Sequence, residues 1–212
     1  MPILRSEKIN SNSWWALWHI TESFETLLEL SHSADINSFY NENIKHPLKQ
    51  KEWLAARLVL KYLSEKLGYS YHGSKKNSFG KPFLIDSPMY VSITNSYPFA
   101  AGIICSKGPV GIDLEYPKSK LLTLAPKFLS KDELLKASDD LIKLCIYWCA
   151  KETLFKIYGR DKISFKENLF IFPFYLNQAG TIEGTISTER KILKYDICYN
   201  IIDAFTVCYN IN

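Results

Sequence analysis

Apolar residues recur along the chain with two different spacings, and each spacing predicts a different element. A broad apolar face with helical spacing predicts a helix from about Pro47 to Leu67, followed by Gly68 as a stop. A second helix is predicted from about Leu141 to Tyr158, ended near Gly159. Shorter apolar runs between turn residues predict strands at 14–20, 90–94, 100–106, 110–115, 169–175, 181–187 and 195–209, the last one broken near Asp203.

The order of these elements is similar in both halves of the chain, a helix followed by several strands. Strand, turn and strand in succession favour antiparallel pairing. We therefore predict an α+β fold of two similar α/β lobes, a pseudo-dimer of helix-plus-antiparallel-sheet halves. The expected seam near Ser106–Pro109 gives an N-terminal lobe at 1–106 and a C-terminal lobe at 107–212. No clear sequence repeat accompanies this similar order.

Composition and charge limit the kinds of molecule that the protein is expected to bind. Of the 212 residues, 47% are hydrophobic, enough to bury a core, and the formal net charge is +4. That charge is too small to indicate nucleic-acid binding and is compatible with an anionic small molecule or a modestly acidic protein. The five cysteines form no C-x-x-C pair, which predicts free thiols in a reducing compartment. No apolar run approaches the ~20 residues that cross a bilayer, so we expect a cytoplasmic protein without membrane contact.

Two acidic residues alternate with apolar ones in the sequence Gly-Ile-Asp-Leu-Glu at 111–115. In a strand, Asp113 and Glu115 project to the same side, while Ile112 and Leu114 face the core. Adjacent carboxylates repel, so either one takes up a proton or a cation lies between them. Mg²⁺ suits such a pair because it accepts one or two carboxylates and takes other ligands from water and substrate phosphates. The alternative is an exposed strand end whose acids face water.

A second group of polar residues lies in the predicted helix 141–158. Trp148, Glu152 and Lys156 are spaced by four residues and so share one face. Read alone, Glu152 and Lys156 could be an ordinary surface salt bridge. Together with the acidic strand, they offer a third carboxylate and a lysine that could reach a phosphate oxygen. Such a set fits phosphoryl chemistry, in which catalysis is mostly positioning and charge neutralisation.

A lysine stands between glycine and proline at 80–82. Glycine permits an unusual backbone and proline stiffens the chain, so Lys81 is expected to be held in place. A lysine in an ordinary surface turn is the competing interpretation.

These motifs resemble the 4′-phosphopantetheinyl transferase superfamily. Its signature is a Gly-Ile/Val-Asp-x-Glu strand followed, some tens of residues later, by Trp-x-x-Lys-Glu-x-x-x-Lys. Both parts occur here in that order, at 111–115 and 148–156. Upstream, 79–82 resembles the family's Gly-Lys-Pro element, and 127–133 resembles its Phe-x-Ser-x-x-Glu stretch. The chain length and layout resemble the surfactin-synthetase-activating type, a monomer of two similar halves.

The resemblance implies an activity and a role for each matching residue. Asp113, Glu115 and Glu152 would hold Mg²⁺ against the pyrophosphate of coenzyme A. Glu152 would also deprotonate the serine of an acyl or peptidyl carrier protein, with Asp113 and Lys156 as the other catalytic residues. Lys156 would neutralise charge as the phosphate bond breaks, and Lys151 would contact phosphate nearby. The phosphopantetheine group would pass to the serine, releasing 3′,5′-ADP.

The first half of the chain would contact coenzyme A in the same comparison. Lys81 would bind the adenosine end of coenzyme A, and Arg57 would supply a basic contact from the long helix. The strand Ser92–Ser96 stands where the family has a Ser-His-Ser type sequence, whose histidine binds the 3′-phosphate. Here Thr94 and Asn95 take that place, and Asn95 can donate a hydrogen bond but carries no charge.

That departure leaves other functions open. One alternative is a catalytically weak relative that binds coenzyme A or a carrier domain without transfer. Another is a different metal-dependent phosphate enzyme, such as a small hydrolase that uses the same three acids. For the carrier, whose docking helix is acidic, the apolar segment Leu121–Leu135 is the candidate surface. The competing interpretation is that these residues are the core side of two short helices.

Overall fold

The computed structural model describes residues 3–160 and 163–211. The chain divides into two compact units, Met1–Val110 and Gly111–Asn212. Both units combine helices with antiparallel sheets, so the predicted α+β class is confirmed. Among the described residues, no helix is both long enough and apolar enough to span a membrane.

The first unit packs one long helix, α3 (Pro47–Lys66), against a four-stranded antiparallel sheet. In spatial order the strands are β1 (Ile3–Asn10), β2 (Ser13–His19), β6 (Phe99–Cys105) and β5 (Tyr90–Ser96). The remaining elements are α1 (Phe24–Leu30), α2 (Ser33–Asn41), and a hairpin of β3 (Ser74–Lys76) and β4 (Pro82–Leu84).

The prediction for the first unit was right for α3 and for the strands β2, β5 and β6, and it missed β1, β3, β4, α1 and α2. Helix α3 begins at Pro47, as predicted, because the first helical position needs no amide hydrogen. Its apolar side is buried, with Leu54, Leu60 and Leu63 at 0% exposure. Strand β1 was not predicted because it lies at the edge of the sheet, where mostly polar side chains are tolerated.

The second unit is built around α6 (Leu141–Tyr158), which contacts a five-stranded antiparallel sheet and α4. In spatial order the strands are β7 (Ile112–Glu115), β11 (Phe205–Asn210), β10 (Ile192–Ile202), β9 (Ala179–Ser187) and β8 (Leu169–Ile171). The shorter helices are α4 (Lys120–Phe128) and α5 (Lys131–Ala137). Because α6 is covered by strands and by α4, most of its side chains are buried.

Helix α6 has the predicted bounds, and both of its ends have a local cause. Asp140 caps the start by accepting hydrogen bonds from the amides of Ile142 and Lys143. Gly159 ends it at a φ of 63°, in the left-handed region that glycine tolerates.

Two strand predictions needed correction in the second unit. The strand predicted at 169–175 stops at Ile171, since Pro173 has no amide hydrogen to continue the ladder. The run predicted at 195–209 is two strands, β10 and β11, joined by a turn. In that turn Asp203 and Ala204 have φ values of 48° and 67°.

Each unit thus has a long helix on an antiparallel sheet, but the strand orders and numbers differ. The duplication into a pseudo-dimer stays a prediction, as do the lobe boundaries at 106 and 107. All five cysteines are free, and four of them are buried, as their apolar surroundings predicted.

Candidate active site

The centre of the candidate site is the place where β7 begins beside α6. A Cβ atom built on Gly111 would lie 2.2 Å from the carbonyl oxygen of Thr153, far inside any real contact. The amide of Gly111 also donates to Asn210 Oδ1 at 2.9 Å, which ties β7 to the end of β11. Glycine is required here because the helix backbone approaches the strand directly. Sequence reasoning noted this glycine only as part of a motif.

Three hydrogen bonds join the acidic strand to one face of α6. Lys156 Nζ donates to Asp113 Oδ1 at 2.7 Å and to the carbonyl oxygen of Ile112 at 2.9 Å. Trp148 Nε1 donates to Glu115 Oε1 at 3.1 Å. Asp113 and Glu115 therefore do share one side of β7, and Trp148 and Lys156 share one side of α6, as predicted.

Glu152 lies on α6 between the two residues that make these bonds, and the surrounding charges act on its pKa. Burial and then the charge of Asp113 raise the pKa of Glu152 to about 7, although Lys156 opposes this. Burial and Asp113 also raise the pKa of Glu115, against the hydrogen bond from Trp148. After burial, repulsion by Asp113 is thus the second cause that disfavours ionisation of Glu115 and of Glu152. A carboxylate with a pKa near 7 can accept and release a proton at neutral pH.

Trp148 is held between two phenylalanine rings, a group we call the aromatic bracket (Phe128, Trp148 and Phe165). The indole meets Phe128 edge-on at a centroid distance of 4.9 Å and stacks on Phe165 at 5.5 Å. The bracket fixes the direction of the indole N–H, and with it the bond to Glu115. The spacing of the helix predicted that Trp148 shares a face with Glu152. It did not predict a hydrogen bond to the acidic strand.

Lys151 is the motif lysine for which a phosphate contact is predicted. Its side chain is 0% exposed. Its ammonium group donates to Glu133 Oε2 at 2.8 Å and to the carbonyl oxygens of Phe128 at 2.9 Å and Phe165 at 2.8 Å. All three donors of an ammonium group are thereby engaged. The phosphate contact of Lys151 stays a prediction, and the structure shows its ammonium group bonded within the protein.

The acidic residues fit Mg²⁺ in the kind of donor that they offer. Asp113, Glu115 and Glu152 present only carboxylate oxygens, and a cation among them would relieve the repulsion that raises the pKa values of Glu115 and Glu152. Within residues 3–160 and 163–211, no three His, Cys, Asp or Glu side chains are arranged as a ligand set. Mg²⁺ needs only one or two protein carboxylates, because water and phosphate complete its shell. The three metal ligands therefore stay a prediction.

In the first unit, Lys81 is held by a tight hairpin tip, as the Gly-Lys-Pro sequence predicted. Asn77 organises the tip, because its Oδ1 accepts from the amides of Phe79 at 2.9 Å and Lys81 at 3.0 Å. Gly80 has a φ of 78°, which a residue with a side chain rarely adopts. Burial lowers the pKa of Lys81 to about 8.

Arg57 is buried in the first unit beside a cavity of about 590 Å³. Its guanidinium lies 3.5 Å from the centre of the Trp53 ring and donates to the Trp53 carbonyl oxygen at 3.1 Å. Its Nε has no hydrogen-bond partner among the described residues. Burial lowers the pKa of Arg57 to about 10, although Asp35 opposes the shift. The cavity is also lined by Lys75, Lys76 and Glu42, and Lys76 forms an ion pair with Glu42 at 2.6 Å.

Thr94 and Asn95 are consecutive on β5 and pair with Ala101 and Ala100 of β6. Consecutive strand residues project to opposite faces of a sheet, so these two side chains do not share a face. Thr94 is buried and Asn95 is half-buried. The structure leaves the coenzyme A contacts predicted for both residues as expectations.

The segment Leu121–Leu135 contributes mainly to the core. Leu121 and Leu129 are buried, together with the bracket residue Phe128. Leu122 and Leu135 are exposed at 42% and 74%. The interpretation as the core side of two short helices is therefore right for the buried residues and not for the exposed leucines. The docking surface for a carrier stays a prediction.

Comparison with known families agrees with the position of this site. Residues 109–206, a little under half of the chain, match the family model of the 4′-phosphopantetheinyl transferase superfamily. A search of curated proteins found no match. The matched segment contains β7, the aromatic bracket and α6, and so all three acidic residues and Lys156. Residues 109–206 are thus similar to the 4′-phosphopantetheinyl transferase superfamily.

Proposed function

We propose that this protein transfers 4′-phosphopantetheine from coenzyme A to a serine of an acyl or peptidyl carrier protein, with Mg²⁺ as its metal ion. The observation that carries the proposal is the ion pair of Lys156 with Asp113, formed between a helix and a strand that also carry Glu152 and Glu115, within the segment that matches the family. The family match supports phosphopantetheine transfer in general. The carrier, the metal ion and the assignment of each residue are our own inferences.

The reaction needs a base for the serine and compensation of negative charge. Glu152 is the proposed base, because with Mg²⁺ bound its carboxylate would be ionised and able to accept the serine proton. The serine oxygen bonds to the β-phosphorus, the bond from that phosphorus to the bridging oxygen breaks, and 3′,5′-ADP leaves. Lys156 supplies positive charge beside Asp113 and would contact the pyrophosphate as negative charge develops on the leaving group.

Asp113, Glu115 and Glu152 would hold the metal ion through their carboxylate oxygens. A bound Mg²⁺ supplies Lewis acidity and neutralises pyrophosphate charge. Trp148 keeps Glu115 oriented through the bond from its indole N–H. For the nucleotide, we propose Lys81, Thr94, Asn95 and Arg57 as contacts. Arg57 has the strongest support, since it lines a cavity in the first unit together with Lys75.

Incubation of an apo carrier protein with this protein, coenzyme A and Mg²⁺ tests the proposal. Intact-mass analysis should show a gain of about 340 Da on the carrier, the mass of one phosphopantetheine. The gain should disappear when a chelator is added and when Glu152 is replaced by Gln. Absence of the gain across a panel of fatty-acid, polyketide and peptide carriers would overturn the proposal.

A second candidate function is binding of coenzyme A without transfer. Asn95 favours it, because an amide provides no positive charge for a 3′-phosphate. Tight coenzyme A binding together with no carrier modification at any Mg²⁺ concentration would support this reading. Release of phosphate or nucleotide without a carrier would instead indicate a hydrolase.

A further inference from the structure

Glu133 and Lys151 form a buried ion pair behind the acidic residues of the site. Glu133 is 1% exposed and Lys151 is 0% exposed. One oxygen of Glu133, Oε2, accepts from Lys151 and from the Ser130 amide, both at 2.8 Å. The other, Oε1, accepts from the Ile171 amide at 2.9 Å. The pair therefore links the start of α5, strand β8 and helix α6 at one point.

A buried pair of this kind is weak evidence for stability, since desolvation of both charges offsets their attraction. Its geometry is more informative. Besides Glu133, Lys151 bonds to the carbonyl oxygens of Phe128 and Phe165, and these residues supply the two rings that enclose Trp148. One ammonium group thus fixes the backbone on both sides of the aromatic bracket.

The bracket in turn reaches the acidic strand. Trp148 donates to Glu115 Oε1 from between the two rings. A continuous set of contacts therefore runs from Glu133 through Lys151 and the two phenylalanines to Trp148, and ends on Glu115.

We propose that Glu133 and Lys151 are positioning residues, which set the aromatic bracket and through it the orientation of Glu115. The effect on catalysis rests on the function proposed above, whereas the effect on Trp148 does not. The competing role for Lys151 is a direct phosphate ligand, and it predicts a different kinetic result.

The variant that tests this role replaces both members of the pair, Lys151→Met with Glu133→Gln. Replacing both avoids leaving one buried charge without its partner. We expect a fall in kcat of about 10- to 100-fold and a similar rise in the Mg²⁺ concentration for half-maximal rate. The KM for coenzyme A should stay within about twofold, because no substrate contact is removed. A large rise in that KM with kcat and the Mg²⁺ requirement unchanged would establish Lys151 as a phosphate ligand and overturn the proposal.

A double-mutant cycle with Trp148→Phe separates positioning from general destabilisation. If the pair acts through the indole, its replacement should add little once the indole N–H is already absent. Additive losses of kcat would contradict the proposed route. Tyr199→Phe is the matched control, because it removes buried hydrogen bonds in the same unit outside the bracket. It should leave kcat and the Mg²⁺ requirement unchanged.

Fluorine NMR of protein labelled with 5-fluorotryptophan gives a readout that does not depend on activity. The chain has five tryptophans, and the Trp148 signal is identified by its loss in Trp148→Phe. The pair variant should shift that signal by more than its linewidth and leave the others in place. An unmoved Trp148 signal would overturn the proposal even if activity fell. If the wild-type chain modifies no carrier, the proposed function fails while this spectrum still tests the positioning.

Should the pair variant not fold, Phe165→Leu provides the same test from the other end. It removes one ring of the bracket and leaves the ion pair intact. We expect the same shift of the Trp148 signal and the same rise in Mg²⁺ requirement. A Trp148 signal and a Mg²⁺ requirement equal to those of the wild type would contradict the proposal that the aromatic bracket connects the ion pair to Glu115.

Discussion

Lys156 Nζ lies 2.7 Å from Asp113 Oδ1, and this ion pair joins the end of helix α6 to strand β7. Asp113 is almost fully buried, whereas the lysine side chain keeps a quarter of its surface exposed. The lysine is therefore placed to compensate a buried carboxylate and to meet a ligand from solvent.

Lys156→Met should destabilise the protein because Asp113 loses its ammonium partner. We expect a loss of about 2 kcal/mol, below the 3–5 kcal/mol found for fully buried pairs, since Lys156 is partly exposed. Urea denaturation measures the change. Adding Asp113→Asn should restore much of the lost stability, because no buried charge is then left without compensation. If the two substitutions simply add, the pair is not coupled.

Glu152→Gln should raise stability at high pH and not at low pH. The folded-state pKa of about 7 lies above the unfolded value of 4.5, so the ionised carboxylate opposes folding. This penalty is absent below pH 4.5, grows between pH 4.5 and 7, and is complete above pH 7. Melting temperatures of the wild type and of Glu152→Gln, measured in chelator from pH 4 to 8.5, should therefore differ more as the pH rises, with the variant the higher. Each kcal/mol of difference in the free energy of unfolding corresponds to about 2–4 °C.

Glu167→Gln serves as the control for that titration, because Glu167 is an exposed acid of the same unit. It should show no comparable divergence. Mg²⁺ should reduce the advantage of Glu152→Gln at pH 8, since a bound cation stabilises the ionised carboxylate. A variant that is equally stabilised at pH 4 and pH 8 would show that ionisation of the buried Glu152 carboxylate is not the cause.

Gly111→Ala should be among the most damaging single substitutions in the chain. The added methyl group would overlap the Thr153 carbonyl oxygen, a backbone atom that cannot rotate away. Overpacking usually costs about 1–3 kcal/mol, and we expect the upper end of that range or more. Gly108→Ala is the matched control, because its added carbon would meet nothing within 4 Å. Equal denaturation midpoints for both variants would contradict the close approach of strand and helix.

Asn95→His should strengthen binding of coenzyme A more than binding of 3′-dephospho-coenzyme A. A protonated imidazole donates a charge-assisted hydrogen bond, which is about twice as strong as a neutral one. Titration calorimetry at pH 6 with both nucleotides should show a selective gain of up to about tenfold. Asn95→Asp should have the opposite effect, since it places negative charge at the same position. Equal effects on both nucleotides would mean that Asn95 does not contact the 3′-phosphate.

The part of the site that local periodicity controls could be predicted from the sequence. A period of two places Asp113 and Glu115 on one side of a strand, and a spacing of four aligns Trp148 with Lys156. The start of α5 was also recognisable, because the capping box at Ser130 and Glu133 is formed within four residues.

The environment of Lys151 could not be predicted in the same way. Its partners Glu133, Phe128 and Phe165 are 14 to 23 residues away along the chain, so its burial is a result of tertiary packing. The phosphate contact was predicted because Lys151 belongs to the motif and directly precedes Glu152, the proposed base. The opposite faces of Thr94 and Asn95, by contrast, follow from the strand period and were open to prediction.

The two lysines of Trp-x-x-Lys-Glu-x-x-x-Lys therefore indicate different properties of a chain that contains the motif. Lys151 is enclosed in dry protein, so its presence in another chain would indicate that the same helix packing is preserved. Lys156 reaches both solvent and the acidic strand, so its presence would indicate that the chemistry is preserved. A chain that keeps the first lysine and lacks the second would be expected to fold in this way while having no transferase activity. Scoring the two positions separately would distinguish such a pseudoenzyme from a working enzyme, which a match to the whole motif cannot do.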